Sequence, residues 1–247
     1  MDAALLIVLV GAAAAGFAQG VSGFAFSLVA LSVWAWAVDP QMAAPMAVFG
    51  ALAGQLVALP WVWRGFELKR LLPLVMGGLI GVPLGAYLLQ WLDPTIFRFS
   101  LGLFLLAYCP LMLLLPSGYK WEHGGRGADG IAGFAGGVLG GLAGISGPVP
   151  TLWTTLRGWD KNTQRGVLQA FNIAMHVATL TAYAASGSIT RETLVMFAWI
   201  TPALAIPAIL GVLLFHRLNA QAFRRLILIL LMISGTTLVW GSLAHWL

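Results

Sequence analysis

The chain has 247 residues, of which 60% are hydrophobic and only 9% are charged. Soluble domains carry about a quarter of charged residues, so this composition excludes an ordinary water-soluble protein. The formal net charge of +5 comes from basic residues scattered between apolar runs, and this scatter argues against a nucleic-acid-binding surface. The composition predicts a protein that is embedded in the lipid bilayer.

Charged residues divide the chain into eight charge-free runs, each long enough for the roughly 20 residues that a helix needs to cross a bilayer. The runs cover residues 3–38, 40–63, 71–92, 99–119, 130–156, 166–190, 193–216 and 226–247. Ionised side chains are costly in hydrocarbon, and here they fall into the short gaps between the runs. The pattern predicts an all-α polytopic membrane protein.

The first run is too long for one ordinary span, and it carries the tetrapeptide Gly-Val-Ser-Gly at residues 20–23. It predicts a helix, a break at this tetrapeptide and a second helix. Such a break is tolerated at membrane depth where the freed backbone is buried in protein or lines a cavity. The dipeptide Asp39-Pro40 then combines an N-cap with a proline at the first helical position, and it predicts the start of the next helix.

The tetrapeptide returns as Gly-Ile-Ser-Gly at residues 144–147, inside another long run. Further matches follow in the same order at a spacing of 122–126 residues: Phe49 and Phe171, Gly65 and Gly187, Pro83 and Pro207, and Phe97-Arg98 and Phe223-Arg224. An ordered series of this kind indicates an internal repeat. We predict a first membrane repeat over 1–115, a cytoplasmic linker over 116–129 and a second membrane repeat over 130–247.

Two topologies are compatible with these runs. If every run crosses the membrane once, Lys and Arg divide into 6 on one side and 7 on the other. If both opening runs are hairpins that return to the side they left, 11 lie on one side and 2 on the other. The positive-inside rule favours the hairpins. The sequence therefore predicts two inverted repeats, each a broken hairpin segment followed by three transmembrane helices, with both termini outside the cytoplasm.

Glycines recur at every fourth residue in two of the runs. Such a spacing places them on one face of a helix and lets a neighbouring backbone approach closely. The two series are Gly77, Gly81 and Gly85, and Gly133, Gly137 and Gly141.

The paired breaks are the strongest candidate for a binding site. A half-helix that begins in mid-membrane exposes unpaired backbone N–H groups and a positive dipole end, which suits an anion. Inverted repeats bring two such breaks together at the centre, where secondary transporters bind their substrates. The alternative is that the breaks serve only helix packing. The candidate substrate-binding residues here are Gln19, Ser22, Gly23, Phe24, Ser146, Gly147 and Pro148.

Three further polar residues lie within the runs, namely Gln55, Asn172 and His176. Burying them in a membrane is costly unless they have partners, so they either line the same site or join helices together. His176 either contacts the substrate and relays a proton, since imidazole titrates near physiological pH, or is a neutral ring bonded to a backbone carbonyl or to Asn172.

Signatures of enzymes and of ATP-driven pumps are missing from the sequence. No cluster of His, Asp and Glu has the spacing of a metal or catalytic site, and no P-loop is present. Cys109 is the single cysteine, which excludes an intrachain disulfide. We expect neither a metal nor a cofactor.

An anion channel of the same architecture is the main alternative to a carrier, and an intramembrane enzyme is a more distant one.

The motif over residues 16–27, followed by Asp39-Pro40, resembles the first-half signature of the TauE/SafE sulfite exporter family, also called the 4-toluene sulfonate uptake permease family. The motif over residues 140–148 is similar to the second-half signature, which continues with Asp160-Lys161, Arg165 and Phe171. Many members carry glycine at the positions of Ser22 and Ser146, so a narrower or more polar pocket is expected here.

The resemblance implies a multi-pass protein of the bacterial inner membrane that moves sulfite, sulfonates or related organosulfur anions. It also implies that an ion gradient, of protons or sodium, drives transport in place of ATP. It fixes neither the individual anion nor the direction of transport.

Overall fold

The computed structural model describes residues 3–62, 66–115, 121, 124–215 and 220–246, and these residues form ten α-helices and no strand. The predicted all-helical fold is therefore confirmed. The helices are α1 (Ala3–Ser22), α2 (Phe26–Trp34), α3 (Pro40–Val62), α4 (Leu68–Gln90), α5 (Pro94–Leu114), α6 (Gly125–Ala143), α7 (Pro148–Leu156), α8 (Lys161–Ala185), α9 (Arg191–Phe215) and α10 (Ala220–Trp246).

Among the described residues, five helices are long and apolar enough to cross a membrane, and they lie within α1, α4, α5, α9 and α10. Their outer faces carry large apolar side chains. Ile80 and Trp240, for example, are 69% and 77% exposed on the surface of the isolated chain. Apolar surface of this extent requires a cover, which lipid provides. The chain is thus a polytopic membrane protein.

In the first half, α2 folds back along α1. The indole Nε1 of Trp34, at the end of α2, donates a hydrogen bond to the carbonyl of Val8, near the start of α1, at 3.0 Å. The same indole covers Gly11, where a Cβ would overlap the ring. The chain reverses after Gly23, whose φ of 85° lies in the left-handed region that glycine adopts without strain. The opening segment is therefore a helical hairpin.

In the second half, α7 folds back along α6. Gly136 of α6 packs against Ser146 and Pro150, close to the turn. Farther from the turn, the indole Nε1 of Trp153 donates to Asp129 Oδ1 at 2.7 Å. The left-handed residue at this reversal is Gly144, with a φ of 68°. The second opening segment is therefore also a helical hairpin.

Helix α6 begins earlier than the sequence pattern suggests. Its first residue is Gly125, so residues 125–129, predicted as the end of a linker, form its first turns. The linker residues 116–120 and 122–123 lie outside the described residues.

The two predicted glycine series pack against each other. Gly77 of α4 lies beside Gly130 of α6, and Gly85 lies beside Val138, so the two helices run parallel. A Cβ would overlap the partner backbone at each glycine of the two series, namely Gly77, Gly81, Gly85, Gly133, Gly137 and Gly141. The predicted close approach of backbones is confirmed.

Helices α1 and α9 cross in the same manner. Gly16 of α1 meets Leu204, and Gly20 meets Ala208 and Gly211. The opening helix of each half therefore packs in parallel against the fourth helix of the other half. The two halves are interlocked by these crossings and do not form separate bundles.

The third helix of each half lies at the centre of the molecule. Helix α3 contacts α1, α2 and α6, whereas α8 contacts α6 and α7, and the two helices also contact each other. Their closest polar link is the hydrogen bond from Gln169 Nε2 to the carbonyl of Gln55, at 2.7 Å. This arrangement buries the turn of the second hairpin and leaves Ser22, Gly23 and Phe24 of the first partly exposed.

Candidate functional site at the two helix breaks

The turns of the two hairpins lie against each other. A Cβ built on Gly147 would lie 3.0 Å from the Cβ of Phe24, and one built on Gly144 would lie 2.9 Å from Ser27 Oγ. Gly147 is buried and Phe24 is partly buried, and the Ser146 and Gln19 side chains are 1% exposed each. The two breaks that the sequence repeats thus meet, with the second break buried and the first partly exposed.

At the first break, the start of α2 is capped by side chains of α1. Ser22 Oγ accepts hydrogen bonds from the N–H groups of Ala25, at 3.1 Å, and Phe24, at 3.4 Å. Gln19 Oε1 accepts a bond from the N–H of Phe26 at 3.0 Å. The N–H of Gly23 donates to the carbonyl of Gln19. The backbone donors of this break are therefore used within the chain.

Two glutamines tie the first break to the central helices. Gln55 Nε2 of α3 donates to the carbonyl of Gly23 at 2.8 Å. Gln169 of α8 donates in turn to the carbonyl of Gln55. The predicted residue Gln55 is therefore fully buried and bonded to the break itself, which fixes the position of the turn relative to α3 and α8.

At the second break, the side chains of α8 bond to the turn. Ser146 Oγ donates to Asn172 Oδ1 at 2.9 Å. His176 Nε2 lies 3.3 Å from Ser146 Oγ and 3.2 Å from the carbonyl oxygen of Gly144. The predicted residues Ser146, Asn172 and His176 are thus brought together, and each is at most 3% exposed. Gly147 is the N-cap of α7, and Pro148 is its first residue.

The backbone donors of the second break differ from those of the first. Within the described part of the chain, the N–H groups of Ser146, Gly147 and Val149 donate no hydrogen bond. The difference arises at Ser146, the counterpart of Ser22 at a spacing of 124 residues, because its hydroxyl bonds to Asn172 and not to the N–H of Val149, the counterpart of Ala25. The second half also places proline at positions 148 and 150, and proline has no N–H to satisfy.

Helix α8 presents a longer polar face than the sequence analysis singled out. Beyond Asn172 and His176, the same face carries Thr179, whose buried hydroxyl has no partner among the described residues, and Tyr183, whose hydroxyl donates to the carbonyl of Gly141 at 2.6 Å. Positions 172, 176, 179 and 183 follow helical periodicity. That spacing is a signal by which sequence reasoning could have found the whole face.

A buried acidic residue closes the open end of the second hairpin. Asp129 is 4% exposed, and it accepts the bond from Trp153 described above. Arg157 Nη1 lies 3.5 Å from Asp129 Oδ1 and donates to the carbonyl of Gly125 at 3.2 Å. Sequence reasoning missed this cluster because it placed Asp129 in a linker. The contacts hold the start of α6 against the end of α7.

A second polar cluster joins the starts of α4 and α8. Thr163 Oγ1 donates to Glu67 Oε1 at 3.1 Å, and Arg70 pairs with Glu67 at 2.8 Å. Asp160 caps α8 by accepting bonds from the N–H groups of Asn162 and Thr163. Hydrogen bonds from Thr163 and Asn162, together with the charge of Arg70, hold the pKa of Asp160 below its usual value. These contacts stabilise the negative charge of Asp160 at the start of α8.

The fold and the buried breaks define a class of protein. Hydrophobic helices form the outer surface, and discontinuous helices meet at the centre, which is the arrangement in which membrane transporters place their binding sites.

The comparison with protein families agrees with this class. A family model described as "Sulfite exporter TauE/SafE" matches residues 7–238. The chain belongs to this family, whose members are membrane transporters. Comparisons with curated proteins and with solved structures gave no match.

Proposed function

We propose that this protein is a secondary transporter that moves sulfite, a sulfonate or a related organosulfur anion across the bacterial inner membrane. Membership of the sulfite exporter family supports a sulfur-containing anion as the substrate. The observation that carries the proposal is the meeting of the two broken helices at a buried point. Half-helices that begin there direct positive dipole ends into the protein, and these stabilise a bound anion.

The proposed central anion site comprises the polar residues and glycines around both breaks. Its members differ in their contacts, because Gln19 and Ser22 cap the backbone of the first break, whereas Asn172 and His176 approach the second break directly. The proposed set is Gln19, Ser22, Gly23, Phe24, Gln55, Ser146, Gly147, Pro148, Asn172 and His176.

We propose further that the two halves are inverted repeats. The interlocked crossings support this, because α1 packs on α9 as α6 packs on α4, and each pair is parallel. A hairpin leaves each half with three further crossings, so the second half enters the membrane from the side opposite to the first. The distribution of 11 basic residues against 2 then places the linker in the cytoplasm and both termini outside it.

Cysteine labelling tests this topology. In a Cys109→Ala background, a cysteine at Ser186, in the exposed turn between α8 and α9, should react with an impermeant maleimide in whole cells. A cysteine at Gly127, which is exposed in the first turns of α6 with no other atom near its Cβ position, should react only after permeabilisation. Labelling of the Gly127→Cys variant from outside would contradict the inverted topology.

Transport into proteoliposomes tests the function. We expect saturable uptake of radiolabelled sulfite, or of a small sulfonate, that requires an imposed gradient of protons or of sodium and persists without ATP. Protein-free liposomes serve as the control. A flux that rises linearly with concentration and needs no gradient would indicate the alternative, an anion channel of the same architecture. Absence of flux for every sulfur anion would contradict the proposed function itself.

A further inference from the structure

We infer that the anion binds at the second break alone, on the backbone N–H groups of Ser146, Gly147 and Val149 and on the side-chain amide of Asn172. In this arrangement the first break contributes a cover, the Phe24 side chain, and no donor. The inference rests on the proposed transport function and locates its binding site. It replaces a symmetric site, shared by two equivalent breaks, with an asymmetric one.

The first break has no donor left to offer. The N–H groups of Gly23, Phe24, Ala25 and Phe26 all donate within the chain. An anion there would have to displace Gln19 or Ser22 from the backbone, and the loss of these bonds would offset much of what the new hydrogen bonds contribute. Its glycine also has a different purpose, since Gly23 adopts a positive φ and a Cβ on it would meet no atom within 4 Å.

The second break offers several donors that the chain itself does not use. Three backbone N–H groups at the start of α7 lack acceptors among the described residues. Thr151, in the next turn of α7, has a buried hydroxyl that is also without a partner in the described chain. Donors that remain unpaired in the interior cost free energy, and a ligand that accepts their hydrogen bonds relieves that cost.

Asn172 points its amide at this set of donors. Its side chain is 2% exposed, and its Oδ1 is already engaged by Ser146. Its Nδ2 lies 3.3 Å from the position that a Cβ on Gly147 would take, and no described residue accepts a bond from it. The amide nitrogen therefore adds a side-chain donor beside the N–H of Gly147.

Gly147 is required here for space and not for conformation. Its φ of −74° is available to every residue. A Cβ would, however, press on the Phe24 side chain at 3.0 Å and on the Asn172 amide at 3.3 Å. Because these are the neighbours that would surround a ligand, the missing Cβ keeps the N–H groups of the turn accessible.

The donor set predicts the chemical class of the ligand. Every donor is uncharged, and several of them lie in one helix turn. An anion with three or more oxygens, such as the SO₃ group of sulfite or of a sulfonate, therefore accepts hydrogen bonds from more of these donors than a halide does. The dipole of α7 supplies the compensating positive potential in place of a Lys or Arg side chain.

The test removes one backbone donor without changing charge. In Val149→Pro the N–H is lost at the second residue of α7, a position in the first helical turn where proline is tolerated. Val149→Ala loses the side chain but keeps the N–H and is the reference. We expect purified Val149→Pro to bind sulfite about tenfold or more weakly than Val149→Ala in titration calorimetry, since a hydrogen bond to a charged group is lost. Thermal unfolding verifies that both variants are folded.

Ala25→Pro is the matched control in the first break, because it removes the N–H that Ser22 caps. It should lower the melting temperature but keep sulfite affinity within about twofold of wild type.

Equal binding by Val149→Pro and Val149→Ala, or an equal loss in Ala25→Pro, would overturn the inference while leaving the transport function in place. If Val149→Pro does not fold, Asn172→Leu replaces it with the same expected loss, and wild-type affinity of that variant would equally overturn the inference. Absence of sulfite binding and transport by wild type would instead refute the proposed function.

Discussion

A single added methyl group at Gly137 should destabilise the protein by about 3 kcal/mol, at the upper end of the usual cost of overpacking. The new Cβ of Gly137→Ala would lie 2.7 Å from the Cα of Gly78 and 2.8 Å from its carbonyl carbon. Both are backbone atoms, so no side-chain rotation relieves the overlap. Helices α4 and α6 must separate, and the remaining glycines of the two series then lose their contacts as well.

Thermal unfolding of the detergent-purified protein measures this effect. Gly127→Ala is the matched control, since Gly127 lies in the same helix and a Cβ on it would meet no atom within 4 Å. We expect this control to be as stable as wild type or more stable by up to about 1 kcal/mol, because alanine favours a helix over glycine. Equal melting temperatures for Gly137→Ala and Gly127→Ala would show that the crossing tolerates extra volume.

The four-residue glycine spacing was sufficient to predict close helix packing, but it did not identify the partner helix. Local periodicity identifies the face of a helix that a small residue opens. It does not say which other helix fills that face. The crossing between Gly137 and Gly78 joins the first half to the second, and such a pairing depends on the path of the whole chain.

The position of Asp129 could not be predicted for a related reason. A charged residue next to an apolar run is placed outside the membrane, because isolated charge in hydrocarbon is costly. Here Trp153 and Arg157 remove that cost by bonding to the carboxylate. Both partners lie more than 20 residues away, on the returning arm of the hairpin, and only the hairpin geometry brings them near.

The breaks show how far a repeated motif determines local structure. Their existence and position followed from Gly-x-Ser-Gly in the middle of two long apolar runs, and both turns lie there. The choice of the left-handed residue did not follow, because the first break uses the last glycine of the motif, Gly23, and the second uses the first, Gly144. Helix α1 continues through Ser22, whereas α6 ends at Ala143, before a turn that leads into Pro148.

The surroundings of Gly144 predict that it is less replaceable than a left-handed glycine that has open space around it, such as Gly187. Alanine at a positive φ costs roughly 1–2 kcal/mol through backbone strain alone. At Gly144 the new Cβ would also lie 2.9 Å from Ser27 Oγ and 3.1 Å from the backbone nitrogen of Val48. Strain and overlap together should destabilise Gly144→Ala by about 4 kcal/mol. Gly144 also ends the helix that positions Ser146, so transport should be lost even where the variant is still inserted.

Gly187→Ala separates strain from overlap. Gly187 has a φ of 74°, close to that of Gly144, but a Cβ on it would meet no atom within 4 Å. This variant should lose only the roughly 1–2 kcal/mol of strain and should transport sulfite like wild type. Melting temperatures and uptake into proteoliposomes are measured for both variants. If Gly144→Ala is no less stable than Gly187→Ala, the overlap of the new Cβ with Ser27 and Val48 costs no stability. The second break would then not be tightly packed against α3 and the first hairpin.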